Sequence, residues 1–145
     1  MNLIEQALKR TTDTKALILE RGAMEKTATM FMELFPGKKG VVVADTRTFS
    51  IAGKRVDTIM AKAGLKVAEP FIFDDPDLFA EWGFVCRLKE YLSGIDAVAV
   101  AVGSGVINDL TKICVQYSRT SLHDSRDCCL DGRLHCLRSF YQHRR

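Results

Sequence analysis

The chain has 145 residues and a mass of 16.2 kDa, which is room for one domain. Apolar residues make up 47% of it and charged residues 27%, a balance that excludes a disordered or low-complexity chain. No apolar run approaches the ~20 residues of a membrane span, and the N-terminus has no signal-peptide core. We therefore expect a cytoplasmic protein with no membrane span.

Short apolar runs alternate with helical patterns along the first 117 residues. The runs predict four strands, at Lys15–Leu19, Gly40–Ala44, Ala68–Phe73 and Ile95–Val102. Helices are predicted after them, at Gly22–Phe35, Thr48–Ala63, Leu78–Leu92 and Val106–Tyr117. Four strand–helix units in about 100 residues indicate an α/β fold, a Rossmann-like parallel sheet with flanking helices.

Local signals mark where the predicted helices begin and end. Pro36-Gly37 ends the first helix, and Gly64 stands where the second would have its C-terminal glycine. The acidic segment Asp74–Asp77 favours the start of the third, since acids stabilise the positive end of a helix. One side of the second helix is predicted to be apolar, formed by Ile51, Val56, Ile59, Met60 and Ala63.

The most distinctive local feature is a glycine turn, Gly103-Ser104-Gly105. A predicted buried strand ends in this turn and a helix begins directly after it. Glycines allow positive φ and let a diphosphate approach the backbone, and the first helical amides have no internal partners. A plain strand-to-helix turn that needs glycine for steric reasons would explain the same residues. The sequence leaves both interpretations open.

Three charged residues raise the prospect of a ligand site. Asp45 follows the Gly40–Ala44 run, and a carboxylate at the carboxyl end of a parallel strand faces the crevice where ligands bind. It could accept hydrogen bonds from ribose hydroxyls, or it could serve as a helix N-cap. Asp109 and Lys112 lie one turn into the last predicted helix, where they either line the cleft or form a solvated ion pair.

Four sequence blocks carry a resemblance to a known family. They are VGSGVINDLTK (Val102–Lys112), the preceding IDAVAVA (Ile95–Ala101), GKKGVVVAD (Gly37–Asp45) and FDDPDLFAE (Phe73–Glu81). They resemble bacterial sn-glycerol-1-phosphate dehydrogenases, in the superfamily of iron-containing alcohol dehydrogenases, glycerol dehydrogenases and dehydroquinate synthases. The resemblance extends over about residues 2–117.

The resemblance implies a two-domain oxidoreductase that acts as a homo-oligomer when intact. Its N-terminal α/β domain would bind NAD(H) or NADP(H). A helical domain would hold a divalent metal, zinc or in some members nickel, on an aspartate and two histidines. The reaction would be reversible hydride transfer between the nicotinamide and dihydroxyacetone phosphate, giving glycerol 1-phosphate, with the metal polarising the carbonyl.

The resemblance also assigns roles to residues of this chain. It implies that Asp45 holds the adenosine ribose, which favours NAD because an acid would repel the 2′-phosphate of NADP. It implies that the pyrophosphate is wrapped by Gly103, Ser104, Gly105, Val106 and Ile107. Asp109 and Lys112 would lie near the cofactor and the active-site cleft.

Two other functions stay open. One is a glycerol or other metal-dependent alcohol dehydrogenase, or a dehydroquinate-synthase-like lyase, of the same superfamily. The other is a nucleotide-binding module without catalysis. The substrate contacts of the superfamily lie mostly outside the region of resemblance, so the sequence separates the enzymes only through the block around the glycine turn.

Residues 118–145 differ sharply from the rest. All ten lysines precede them, whereas they hold all three histidines, three of the five cysteines and the whole net charge of +3. The resemblance implies a continuation close to P-x-x-T-A-A-S-M-D-G-Y. Back-translated with permitted codons and read one base further on, His123–Tyr141 becomes TTAATAASMDGYTAYGASI, which contains that motif.

We therefore expect residues 118–145 to be an out-of-frame, non-native tail that follows a frameshift at about residues 117–122. The chain would then hold an NAD(P)-binding domain at residues 1–117, lack the metal-binding domain and be inactive alone. A metal site is not expected in the tail because its cysteines and histidines match no standard zinc spacing; they include Cys128, Cys129, His135, Cys136 and His143.

Nucleic acid is not an expected partner, since the arginines of the tail have no interleaved aromatic residues and form no known motif. Cys86 and Cys114 lie on predicted helices and are expected to be buried thiols. The absence of a disulfide framework in the sequence is consistent with a reducing compartment.

Overall fold

The computed structural model describes residues 6, 9–10, 16–120 and 136–139. Within them one parallel sheet is formed, by β1 (Lys39–Asp45), β2 (Phe71–Phe73), β3 (Ala97–Val102) and β4 (Cys136–Ser139). The strand order is β2-β1-β3-β4.

The helices are α1 (Thr27–Leu34), α2 (Thr46–Thr48), α3 (Lys54–Lys62), α4 (Trp82–Ser93) and α5 (Gly105–Thr120). A 3₁₀ turn, Ala23–Lys26, precedes α1, and a π-helical turn, Phe49–Gly53, joins α2 to α3. The predicted α/β class with a parallel sheet and flanking helices is confirmed.

The sheet separates two apolar clusters, because successive residues of a strand face opposite sides. Val41 and Val43 of β1 pack with α4 and α5 on one side. Val42 and Ala44 pack with α1, α3 and the π-helical turn on the other. Every residue of β3 is buried. The continuous apolar runs are thus explained by helices on both faces, as is usual for parallel sheets.

Two of the predicted strands differ from the structure. The first, at Lys15–Leu19, is wrong: Lys15 lies outside the described residues, and residues 16–19 form no strand, with Leu19 61% exposed. An apolar run becomes a strand only where a neighbour pairs with it and an apolar layer covers it. The strand predicted at Ala68–Phe73 shortens to β2, since Pro70 has no N–H for a ladder.

The third helix begins later than predicted, at Trp82 instead of Leu78. The acidic segment Asp74–Asp77 does not start the helix. Its first two carboxylates accept hydrogen bonds from the Arg87 guanidinium, at 3.3 and 2.7 Å, so the segment forms a loop tied to the side of α4. The charged hydrogen bonds to Arg87, about one turn inside the helix, are stronger than the attraction of these carboxylates to the helix dipole.

The second predicted helix is present as α2, the π-helical turn and α3. Val56 and Met60 are buried as predicted, but Ile51 is 51% exposed. The π-helical turn contains an extra residue relative to an α-helical turn, and this rotates Ile51 away from the apolar side. Gly64 follows α3 with φ at 83°, so the C-terminal glycine prediction is confirmed.

The end of α5 and the strand β4 both fall beyond residue 117. The helix runs to Thr120, and β4 extends the sheet by pairing Val100 with Leu137. Of the cysteines and histidines predicted to form no metal site in the tail, all but Cys136 lie outside the described residues. None of the helices in the described part is long and apolar enough to cross a bilayer.

The two cysteines of the described helices have opposite environments. Cys114 is fully buried, as predicted, whereas the prediction for Cys86 is wrong because this residue is exposed on α4. Burial raises the pKa of the Cys114 thiol to about 11. The same thiol in the unfolded chain has a pKa of about 8.5.

This difference predicts a fall in stability at alkaline pH. Between about pH 8.5 and pH 11 the unfolded thiol has lost its proton and the folded thiol has not, so the free energy of unfolding decreases as the pH rises. Urea unfolding at a series of pH values would measure this. The Cys114→Ala variant should show a smaller decrease than the wild type over that window, and an identical slope would contradict the prediction.

Candidate cofactor-binding site

The sheet has a topological switch point between β1 and β3. The chain leaves β1 for β2 on one side and then returns to β3 on the other side of β1. Ligands of open α/β sheets bind at the carboxyl ends of the strands that flank such a point. Val43 pairs with Ala101, and the same register carried two residues further sets Asp45 beside Gly103. The two predicted site segments are therefore neighbours.

Asp45 ends β1 and caps the helix that follows. Its Oδ1 accepts a hydrogen bond from Thr48 N at 2.7 Å, while Asp45 N donates to Thr48 Oγ1 at 3.1 Å. The N-cap role that the sequence left open is thus present. It occupies one oxygen of a carboxylate that can accept about four hydrogen bonds, so the cap and a ribose contact are compatible.

Neither glycine of the turn is needed for a positive φ, because the positive φ angles of the described glycines occur only at Gly22, Gly37 and Gly64. A Cβ on Gly103 would lie 2.9 Å from Ile107 Cγ1 and 3.0 Å from Thr48 Oγ1. A Cβ on Gly105 would meet nothing within 4 Å. Gly103 therefore allows close packing inside the fold, while Gly105 borders open space.

Free backbone donors lie at this open space. The first hydrogen bond of α5 runs from Asn108 N to Ser104 O at 3.2 Å, so the amides of Gly105, Val106 and Ile107 precede it and have no helical acceptor. Ser104 and Gly105 are exposed. Unpartnered amides and the positive end of a 16-residue helix favour an anion such as a phosphate.

The remaining predicted residues divide between core and surface. Ile107 is fully buried and Val106 packs against the same cluster, so each has only its backbone amide to offer a ligand. Asp109 is exposed and Lys112 is half-buried. No ion pair between these two is present among the described residues, so the solvated pair that their spacing suggested is absent.

Sequence reasoning missed two threonines at the switch point. Thr48 bonds to Asp45, and its Oγ1 would lie 3.0 Å from a Cβ on Gly103. The Thr46 hydroxyl donates to Phe73 O at the end of β2, at 3.3 Å. The spacing Asp-x-x-Thr is the signal that could have identified the reciprocal cap. Asn108 Oδ1, one turn into α5, is buried without a donor among the described residues, a costly state that a ligand or water would relieve.

One comparison with known proteins identifies the family. The family model described as iron-containing alcohol dehydrogenase matches residues 18–122, which is most of the chain. The chain belongs to this family. No curated protein and no solved structure matches it at a significant level.

Membership in the iron-containing alcohol dehydrogenase family indicates an oxidoreductase of the alcohol-dehydrogenase type, and implies NAD(P) and a metal in the intact enzyme. The residues at the switch point fit a dinucleotide: open space beside Gly105, unpartnered amides, and a carboxylate on the neighbouring strand. Within residues 16–120 and the other described positions, no three His, Cys, Asp or Glu side chains are grouped as metal ligands.

The two glycines of the turn should respond oppositely to alanine. Gly103→Ala should lower the free energy of unfolding by about 1–3 kcal/mol, because its methyl group overlaps Ile107 and Thr48. Gly105→Ala should leave it unchanged or raise it by up to ~1 kcal/mol, because the methyl meets nothing and the unfolded chain loses freedom. Urea unfolding of both variants measures this, and equal losses would contradict the packing described here.

Proposed function

We propose that this chain forms the dinucleotide-binding part of an NAD(P)-dependent sn-glycerol-1-phosphate dehydrogenase-like enzyme. The observation that carries the proposal is the juxtaposition of Asp45 with the glycine turn at the switch point between β1 and β3. Family membership supports the class of enzyme. The blocks VGSGVINDLTK and FDDPDLFAE support the narrower assignment, since they resemble glycerol-1-phosphate dehydrogenases.

In this proposal each segment has a separate binding task. The amides of residues 105–107 and the Ser104 hydroxyl bind the pyrophosphate, and the Asp45 carboxylate accepts from the ribose hydroxyls of the adenosine. Asp109 and Lys112 border the cleft further along α5. The acid at position 45 favours NAD over NADP, because the 2′-phosphate would bring a second negative charge against it.

The bound nicotinamide supplies the redox chemistry. When held by Asp45 and the glycine turn, it would supply the hydride that converts dihydroxyacetone phosphate to glycerol 1-phosphate, and solvent or protein would supply the proton. The described residues supply binding and orientation of the dinucleotide. The substrate of the intact enzyme, on this proposal, is a small phosphorylated polyol.

NADH titration followed by amide chemical shifts in ¹⁵N-labelled protein tests the proposal. We expect weak, saturable shifts centred on residues 45, 48 and 103–108, competed by NAD⁺, and no oxidation of NADH when dihydroxyacetone phosphate and Zn²⁺ are added. Binding with turnover would contradict the view that this chain is catalytically incomplete. Shifts elsewhere, or none at saturating NADH, would contradict the site.

We also infer that residues 118–145 are an out-of-frame tail on an NAD(P)-binding domain formed by residues 1–117. Support comes from the loss of lysine in the tail and from the motif TAASMDGY in the alternative frame; the family match extends to residue 122. Sequencing the gene through and beyond codon 110 tests this. Another frame encoding TAASMDGY, followed by an aspartate and two histidines, is expected; a gene without one would mean that the tail and β4 are native.

A further inference from the structure

We propose that Thr48 is a positioning residue, which holds the Asp45 carboxylate and the glycine turn in the arrangement that binds the dinucleotide. This inference rests on the proposed function, because it concerns the same site. It adds a residue that contacts both halves of the site and to which neither the resemblance nor the family assigns a role.

The first half of the support is the contact between Thr48 and Asp45. Thr48 N donates to Asp45 Oδ1 at 2.7 Å, and Thr48 Oγ1 accepts from Asp45 N at 3.1 Å. The Thr48 hydroxyl also lies 3.4 Å from Asp45 O, to which it donates. Two hydrogen bonds in opposite directions fix both the backbone and the side chain of Asp45, and they direct one oxygen at the helix. The other carboxylate oxygen has no hydrogen bond to a described residue, so it remains available for a ligand.

The second half is the contact between Thr48 and the glycine turn. Its Oγ1 would lie 3.0 Å from a Cβ on Gly103, so the hydroxyl lies close to the residue that directly follows β3. The same oxygen therefore bonds to the last residue of β1 and lies close to the residue that follows β3, the two strands that flank the switch point. A side chain in this position sets the distance between the carboxylate and the free amides of α5, which is the distance that a dinucleotide must span.

Thr46 offers a contrast two residues away. Its hydroxyl donates to Phe73 O at 3.3 Å, which ties the start of α2 to β2 and not to β3. Thr46 is exposed, whereas Thr48 is half-buried between Asp45 and Gly103. Both threonines thus make one tertiary contact at the same end of the sheet, but only Thr48 contacts the proposed site. Thr46→Val is therefore a matched control.

NADH titrations by amide chemical shift, on the full chain, test the inference. Thr48→Val removes the hydroxyl and keeps the shape, and it should raise the NADH dissociation constant roughly fivefold, the worth of one hydrogen bond. Thr48→Ser should restore binding to within about twofold, and Thr46→Val should leave it unchanged. When Asp45→Asn is already present, Thr48→Val should have clearly less effect, because the hydroxyl positions the Asp45 backbone and the carboxylate which that backbone carries is then gone.

Each other outcome counts against the inference. Equal losses with and without the Asp45→Asn change, or no rescue by serine, would show that Thr48 acts only on general stability. If Thr48→Val fails to fold, as seen from its amide spectrum, Thr48→Ala takes its place with the same expectations. Wild-type binding that Thr48→Val leaves intact overturns this inference alone, whereas absence of NADH binding by the wild type overturns the proposed function with it.

Discussion

Replacing Ser104 with aspartate should abolish most NADH binding without harming the fold. Ser104 precedes α5, is exposed, and stands beside the free amides of Gly105, Val106 and Ile107. A carboxylate there would lie against the negative pyrophosphate. Two unit charges 4 Å apart repel by about 4 kcal/mol at an effective dielectric constant of 20, and less where water screens them. We therefore expect the dissociation constant to rise at least tenfold.

The fold should tolerate the same change. Aspartate is as good as serine before a helix, and its charge is favourable at the positive end of the helix, by about 0.3–1 kcal/mol. Urea unfolding should thus show equal or higher stability for Ser104→Asp. Ser104→Asn is the matched control, since it is similar in size to aspartate and uncharged, and its side-chain amide can donate in place of the hydroxyl; its NADH affinity should fall far less than that of Ser104→Asp. If both variants lose binding equally, charge at this position does not decide binding, and the pyrophosphate lies elsewhere.

Truncating Phe73 should cost more stability than any other change proposed here. Its ring is fully buried at the end of β2, with edge-to-face contacts to Phe71 and Phe84 at centroid distances of 4.9 and 6.0 Å. Removing a buried phenylalanine side chain costs about 3–5 kcal/mol, through lost burial and the cavity that remains. Domains of this size are stable by about 5–15 kcal/mol, so Phe73→Ala should lower the urea midpoint by a large fraction of its value.

Phe79 is the control for this prediction. It also makes an edge-to-face contact with Phe84, at 6.0 Å, but its side chain is 55% exposed. Phe79→Ala should therefore lower the free energy of unfolding by no more than ~1 kcal/mol. Equal destabilisation by the two variants would mean that the ring contact with Phe84, and not the burial at Phe73, holds this corner of the sheet.

The sequence correctly predicted the strands whose apolar residues are covered by helices on both faces of the sheet. Gly40–Ala44 and Ile95–Val102 are apolar without interruption, apart from Asp96, and only a strand covered on both faces accommodates such runs. Lys15–Leu19 has a similar local character and forms no strand, because strand formation depends on a pairing partner that local sequence does not name. The predicted start of α4 was wrong for a related reason. Asp74 and Asp75 form a tertiary ion pair with Arg87 and do not stand at the start of the helix.

The residues of the candidate site likewise divide into those that local sequence identifies and those that depend on tertiary contacts. Asp45 and the glycine turn could be located because each ends a recognisable strand, and parallel strands bring their carboxyl ends to one edge. That these two segments are adjacent depends on the strand order, which no spacing reveals. Thr48 could not be identified from the sequence because the role proposed for it depends on its proximity to Gly103, 55 residues further along the chain. That the assigned residues bind NAD(H) stays a prediction.

The π-helical turn at Phe49–Gly53 has a consequence for how this helix tolerates changes in length. Gly53 admits the ring of Phe49, since a Cβ there would lie 2.7 Å from Phe49 Cδ2. The turn holds one residue more than a regular α-helical turn, so shortening the chain by one residue here would convert it to α-helix and keep Val56 and Met60 against the sheet. The same deletion within α3 would rotate the remaining apolar residues by about 100° and turn them towards water. The segment next to the proposed ribose carboxylate is therefore the place in this helix where the loss of one residue can be accepted during evolution.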